Sequence, residues 1–377
     1  MQTIKLGLTS PKDEAKVVPI QYDAECPFKY NNFVYRISLA SPIASNQDGP
    51  TQPGCVAIPK DTKELILRLT NPDAEGMSLQ TRVENEVANI YLASAALSDI
   101  TPHVVPSVYA WGSAAGEPSQ GWIFQELMPG TPLDEAFGAM DITQKQQIFT
   151  QMAKMLKALH DYKLPDSITG FGGLTLDDAG HIISSVMPSV GAGPWPSYEA
   201  SFKAMFESLS SKDEKSILHC DFTTNNILFD ASSGRITALI DYDFSCVLHR
   251  SYEFLRSLDN AGGQFCGWSG DDDSEQMALR GAKLHGFPSP LPQSTKDGVQ
   301  WEVAKAWECE LEKLGVERPR TIDGIDKVAD VDAVLRGILP WRLSNSDIVR
   351  LQSEEVKLGH REKCEKELRN MLVRLGF

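Results

Sequence analysis

The stretch Ser216–Asp243, SILHCDFTTNNILFDASSGRITALIDYD, constrains this chain more than any other. An apolar lead, Ile217-Leu218, runs into His219-Cys220-Asp221. Asn226 follows five residues after Asp221 and opens an apolar run, Ile227-Leu228-Phe229. Ser232-Ser233-Gly234 supplies turn chemistry, and a second apolar run from Ile236 to Ile240 ends on Asp241. The pattern predicts strand, loop, strand, turn, strand. Such a hairpin lets the oxygen-bearing side chains of Asp221, Asn226 and Asp241 converge on one point. Carboxylate and amide oxygens suit Mg²⁺, and a spare carboxylate suits a base.

With 377 residues the chain has room for two lobes or two domains. Its net charge of −15 argues against a general nucleic-acid binder, which would carry a basic patch. Seven cysteines are scattered without a CxxC pair, which argues against a zinc site or a disulfide framework and for reduced thiols. The first residues, MQTIKLGLTSPKDEAK, lack the apolar core of a signal peptide, and no run reaches membrane-spanning length. The expectation is a cytoplasmic protein with no membrane partner.

Residues 1–27 are punctuated by Pro11, Pro19 and Pro27 and read as a lead-in. Phe33–Leu39 and Glu64–Leu69 read as strands, separated by a Pro/Gly-rich insertion near 41–60. Thr81–Leu97 reads as a helix with Val83, Val87, Ile90, Tyr91 and Ser94 on one face. Glu84 and Glu86 flank that stripe, and periodicity alone does not say which points inward. Trp122–Leu127 is a short apolar strand, stopped by Met128-Pro129-Gly130. From Asp141 to Tyr162 a helix is predicted, with Asp141 and Gln144 placed for a capping box and Ile148, Met152, Met155, Leu156 and Leu159 inward. Helical patterns follow at Tyr198–Leu209, Glu253–Asp259, Ser274–Leu284, Trp301–Leu314, Val328–Ile338 and beyond Asp347.

The motif His219-x-Asp221-x4-Asn226-Ile-Leu, followed by Ile240-Asp241-Tyr242-Asp243, resembles the aminoglycoside phosphotransferase and choline kinase group. GPWPSYEA and EFLRSL resemble fungal members. The resemblance implies an α+β, two-lobed protein-kinase-like fold. Its N-lobe, an antiparallel sheet plus a helix, would span 28–127. A mainly helical C-lobe would span 128–377, with the catalytic hairpin at 216–243 and an acceptor-binding region at 250–377.

The resemblance also assigns roles. Asp221 matches the catalytic base, and Asn226 and Asp241 match the Mg²⁺ ligands. Arg68 stands on the strand where the group places the cation that meets the nucleotide phosphates, and Glu86 is its ion-pair partner. Gln125, Glu126 and Leu127 match the segment that receives the base through its backbone, with Phe124 behind it. The phosphate-covering turn, Phe28–Phe33, has no glycine, so Asn31-Asn32 must make it. Asp243 reads as a salt-bridge partner within the lobe or as an acid near the metal or a cationic substrate, the run Asp271-Asp272-Asp273 as a solvated loop or a contact for a cationic acceptor, and Trp195 and Trp268 as core packing or as stacking surfaces for that acceptor. His219 reads as structural, holding the loop through the backbone.

The combined reading is a kinase that transfers the γ-phosphoryl of ATP or GTP, with Mg²⁺, to a hydroxyl of a small, amine-bearing metabolite or aminoglycoside. The glycine-free turn and Arg68 in place of lysine leave a pseudokinase, a nucleotide- or metabolite-binding module, as the alternative. A protein kinase is disfavoured because no Ala-Pro-Glu segment follows Asp241.

Overall fold

A computed structural model describes residues 15–20, 29–43, 52–115, 120–201, 214–259, 261–269, 272–293 and 298–377. The strands β1 (Lys16–Pro19), β2 (Asn32–Ser38), β3 (Glu64–Thr70), β4 (Val108–Gly112) and β5 (Trp122–Glu126) form one antiparallel sheet in the order β1-β2-β3-β5-β4. The expected lead-in is therefore corrected in part: Lys16–Pro19 pairs with Tyr35–Ser38 as an edge strand. Its prolines hid it, because Pro19 closes an edge strand without losing a ladder bond.

Alternation along β3 and β5 separates the faces of this sheet. Leu65, Ile37, Ile58 and Phe124 pack together on one face, while Ile66, Arg68 and Gln125 line a cavity on the other. Phe124 therefore does not line this cavity, against the expectation that it stands behind the segment Gln125–Leu127. Strand pleating sends adjacent side chains to opposite faces, so Gln125 takes that place.

Helix α1 (Leu79–Ala96) is buried around much of its circumference. Val83, Val87, Ile90, Leu92 and Ala93 are inside, but Tyr91 is 52 % exposed and Ser94 is also at the surface, against the predicted stripe. The reason is polar. Arg82, Asn85, Glu86 and Asn89 are buried too; Arg82, Asn85 and Asn89 each reach a partner more than 150 residues away, and Glu86 meets Arg68. Asn85 donates to the Ser245 carbonyl at 2.9 Å and accepts from the Leu174 N–H at 2.8 Å. The helix thus ties the sheet to the segment after Asp243.

The remainder is mainly helical. The helix Ile142–Asp161 carries the predicted capping box: Asp141 accepts from the Gln144 N–H at 2.8 Å, and Gln144 accepts from the Asp141 N–H at 3.0 Å. Its inward face, including Phe149, packs on the helix Trp301–Leu314, with the Phe149 and Trp307 rings 5.5 Å apart. Further helices run over Glu275–His285, Ile325–Ile338, Ser346–Leu351 and Glu354–Arg374. This is the α+β, two-lobed, protein-kinase-like arrangement. Of the predicted helix Tyr198–Leu209, Tyr198–Ser201 is helical and the rest lies outside the described residues. The described cysteines are all free thiols, and Cys26 lies outside them. Among the described residues no helix is long and apolar enough to cross a membrane.

Candidate active site

The central stretch folds as predicted. Ser216–Leu218 is a strand, Thr224–Asn226 a single 3-10 turn, and Ile227–Asp230 pairs antiparallel with Arg235–Leu239. The hairpin turn is closed by Asp230, whose carboxylate accepts from Ser232 and Ser233, and by Gly234 at φ +69°. Two residues flanking the site hold left-handed backbone despite their side chains: Cys220 at φ +61° and Asp241 at φ +65°. Such strain persists where surrounding bonds over-determine the conformation.

Those bonds are identifiable at Cys220. Glu253, fully buried, accepts from the N–H groups of His219 at 2.7 Å and Cys220 at 3.0 Å. Ser257, one turn further on, donates to Glu253 at 2.5 Å and accepts from the Phe222 N–H at 2.9 Å. The backbone on both sides of Asp221 is therefore clamped by two side chains. His219 Nε2 donates to the Ile240 carbonyl at 3.0 Å, joining the loop to the strand that delivers Asp241. Burial pulls the His219 imidazole down to about 4, so it is neutral near pH 7.

Asn226 donates to Asp221 Oδ2 at 2.7 Å and to its carbonyl at 2.9 Å. Burial, then the nearby Asp241 charge, pushes Asp221 up to about 6, with the Asn226 hydrogen bond acting the other way. Arg68 Nη2 lies 2.7 Å from Asp241, 3.2 Å from Glu86 and 3.5 Å from Asp243. The acid oxygens of Glu86, Asp241 and Asp243 lie within 4.8 Å of one another. Arg68 is 6 % exposed, not a surface residue of an edge strand, and its Nε has no partner. The inward acid of α1 is Glu86, at 2 % exposure. Burial pushes its carboxyl well up, against the Arg68 charge.

Of the two readings open for Asp243, the structure has the internal salt bridge. Arg82 donates to it at 2.7 Å and 3.3 Å, and Asn32 at 2.8 Å. Burial would raise its pKa, but the Arg82 and Arg68 charges overcome that and hold the carboxyl low. Its oxygens are taken up by a buried ion pair and are not available to hold an acceptor. The same bond corrects the reading of Asn32. It opens β2, is 8 % exposed, and neither it nor Asn31 adopts left-handed backbone. Phe28, at the start of the expected phosphate turn, lies outside the described residues.

Two cavities meet at this cluster, sharing Val34, Arg68, Asn225 and Asp241. One, of about 310 Å³, is bounded by Val34, Ile66, Leu228 and Ile240 and by the segment Gln125–Met128. The other, of about 390 Å³, contains Asp221 and is walled by Lys29, Tyr30, Glu75, Trp341, Asn345 and Asp347. Ser346 donates to Glu75 through its N–H at 3.0 Å and through its hydroxyl, and the Lys29 N–H donates to Asp347 at 3.2 Å. The segment 341–347 thereby closes against the sheet end of the molecule.

Trp268 and Asp272 do not line either cavity. Trp268 donates to Asp272 at 2.5 Å and is covered by the Arg374 guanidinium 4.7 Å from its ring, beside a separate cavity of about 280 Å³. Asp273 is exposed and Asp271 lies outside the described residues. Trp195 pairs through its backbone with Phe171 and packs on Gly193. The sequence reading missed Trp341, Asp347 and Glu75, for which spacing carries no signal. Arg82 was findable: it stands four residues before Glu86, on the same helical face.

The model of the phosphotransferase enzyme family (APH) matches residues 56–297, well over half of the chain. No curated protein matches significantly. Among solved structures, a thermostable mutant of aminoglycoside phosphotransferase APH(4)-Ia, complexed with ADP and hygromycin B, is 11% identical. It covers 94% of each chain at a TM-score of 0.46. Plasmodium vivax ethanolamine kinase is 13% identical, covering 95% of this chain and 81% of its own at 0.43. ADP-bound APH(2″)-Ib is 10% identical, covering 95% and 94% at 0.42.

Proposed function

The chain belongs to the phosphotransferase enzyme family, and from that premise we propose that it is a small-molecule kinase using ATP or GTP with Mg²⁺. One observation carries this reading: Asp221, Asn226, Asp241 and the Arg68–Glu86 pair stand together where an apolar cavity adjoins a polar one. The base would enter the apolar cavity and meet the backbone of Gln125, Glu126 and Leu127. Phosphoryl transfer demands positioning and charge neutralisation more than covalent help. Asp221 would orient the acceptor hydroxyl and take its proton.

Asn226 and Asp241 would hold the metal. The donor set fits, since carboxylate and amide oxygens are hard ligands. A divalent cation would supply charge neutralisation on the transferred phosphoryl. Arg68 would serve the phosphates from the wall that the two cavities share.

The polar cavity supports an amine-bearing acceptor. Glu75, Asp221, Asp241 and Asp347 face two cations, Lys29 and Arg68, with the aromatic rings of Tyr30 and Trp341 in the wall. This wall replaces Asp272, Asp273 and Trp268 as the candidate acceptor contacts. The experiment is nucleotide-diphosphate release over a panel of amino alcohols, aminoglycosides and uncharged hydroxyl compounds, with ATP and GTP in parallel. Turnover of cationic acceptors is expected. Nucleotide binding without turnover on any acceptor would instead mark a binding module.

A further inference from the structure

The cavity of about 310 Å³ beside Gln125–Met128 changes character along its length. Arg68, Asn225 and Asp241 also line the polar cavity and so mark the junction of the two. Away from it the walls are apolar: Ile20, Ile66, Leu127, Leu228 and Ile240. Among the described residues, three polar side chains line this cavity without reaching the other: Gln125, Glu126 and Asn226. Asn226 is bonded to Asp221 at 2.7 Å. The Glu126 carboxylate is taken up by His103 at 2.9 Å and by the Ser107 N–H at 3.2 Å.

Gln125 is the exception. It is 5 % exposed, and its Oε1 is buried without a hydrogen-bond partner. Its neighbours across the sheet are Ile66 on β3 and Val108 on β4, neither of which carries a polar side chain. Strand alternation turns Phe124 to the opposite face and leaves the Gln125 side chain on the cavity face with Ile66. An unmade hydrogen bond here costs the fold the desolvation of the amide oxygen, and such a group calls for a physical reason. A ligand in the cavity supplies one. Rotation about the last side-chain bond of glutamine is soft and exchanges Oε1 with Nε2. The same residue can therefore offer the cavity an acceptor or a donor.

We propose that Gln125 is the residue that reads the nucleobase. Its side-chain amide pairs with the 6-substituent of a purine, Oε1 accepting from a 6-amino group or Nε2 donating to a 6-oxo group, so that ATP and GTP are both admitted. The inference rests on the kinase reading, which brings the base to the backbone of this segment and gives no side chain the choice of base. A triphosphate that reaches Arg68 and Asp241 at the junction directs N9 and the sugar there. The 6-substituent, on the far side of the purine, then faces the apolar end where Gln125 stands.

The test compares ATP, GTP and purine riboside triphosphate, which has no 6-substituent. Binding to the full chain with Mg²⁺ is measured by calorimetry for wild type, Gln125→Met and Gln125→Leu. In the wild type, ATP, GTP or both should bind several-fold more tightly than purine riboside triphosphate. In the variants that margin should shrink, while affinity for purine riboside triphosphate holds steady. Methionine matches glutamine in length and removes the unpaired amide, so the ligand-free Tm of Gln125→Met should not fall. No margin in the wild type, or the same margin in the variants, overturns the proposal and leaves the kinase reading standing, because the nucleotides still bind. Failure of all three triphosphates to bind the wild type overturns both.

Discussion

Arg68 and Asp241, 173 residues apart in the chain, meet at 2.7 Å, and the same guanidinium reaches Glu86 at 3.2 Å. One cation thus joins the sheet, helix α1 and the end of the hairpin 216–243. Substituting Glu86→Gln should leave Arg68 drawn towards Asp241. We expect weaker nucleotide binding and a fall in kcat, with acceptor KM changed least. Steady-state kinetics with each substrate varied in turn would show the pattern. An unchanged nucleotide KM and kcat would remove the pair from the site.

Asp221→Asn should lower kcat by about 10²- to 10⁴-fold, the usual worth of a positioned acid or base, and leave Mg-nucleotide affinity within a few-fold. Burial makes the Asp221 charge unfavourable in the fold. The variant should therefore melt no lower than wild type, and scanning calorimetry would check this.

The acid limb of kcat/KM should fall near pH 6, the value to which burial raises Asp221. Below it the base is protonated and cannot accept the acceptor's proton. A bound metal favours the charged form, so the limb of kcat under saturating Mg-nucleotide should lie lower still. Stability runs the other way. A carboxyl raised in the fold contributes stability that is complete below its unfolded pKa, here 3.8, and lost as pH rises through about 6. Glu253, raised by burial to about 7, extends that loss upward. Urea melts of wild type and Asp221→Asn between pH 4 and 7 would separate the two contributions, the variant having the flatter profile.

Arg82→Met would leave Asp243 buried beside Asn32 without its closest cation. Breaking a buried pair from one side costs about 3–5 kcal/mol. A drop of that size in urea-unfolding free energy is expected, along with loss of activity through the displaced hairpin. A loss under about 1 kcal/mol would mean that Arg68 alone satisfies Asp243.

Trp341→Ala and Asp347→Asn should raise acceptor KM several-fold, in line with about 0.5–2 kcal/mol for an aromatic–cation contact. Nucleotide KM should hold steady. If both KM values rise together, the segment 341–347 shapes the whole cleft rather than the acceptor end.

The hairpin within 216–243 was legible in the sequence because its signals are local. Alternation, a Ser-Ser-Gly turn and fixed spacing put Asp221, Asn226 and Asp241 on one short piece of chain, and local geometry then brings them together. The capping box at Asp141 and Gln144 was legible for the same reason. Arg68 and Glu86 needed the family resemblance to be paired. Phe124 was misplaced by a single residue of pleat, which is enough to send a side chain to the other face of a sheet.

The cavity wall at Glu75, Trp341 and Asp347 was not legible, and for Asp243 the sequence left an internal salt bridge and a ligand contact both open. Whether an acid binds a ligand or an internal arginine depends on what packs against it. Arg82 and Asn32 reach Asp243 from 161 and 211 residues away. Trp341 and Asp347 reach the cleft only because Glu75 and Lys29 hold their segment there. The sequence by itself determined the hairpin and the side chains it brings together, since these follow from periodicity and spacing along the chain, and through the resemblance those residues carry it implied the fold class. Only the tertiary structure decided which charges are neutralised inside the protein and which are left facing a cavity, because burial and long-range pairing set the cost of each charge.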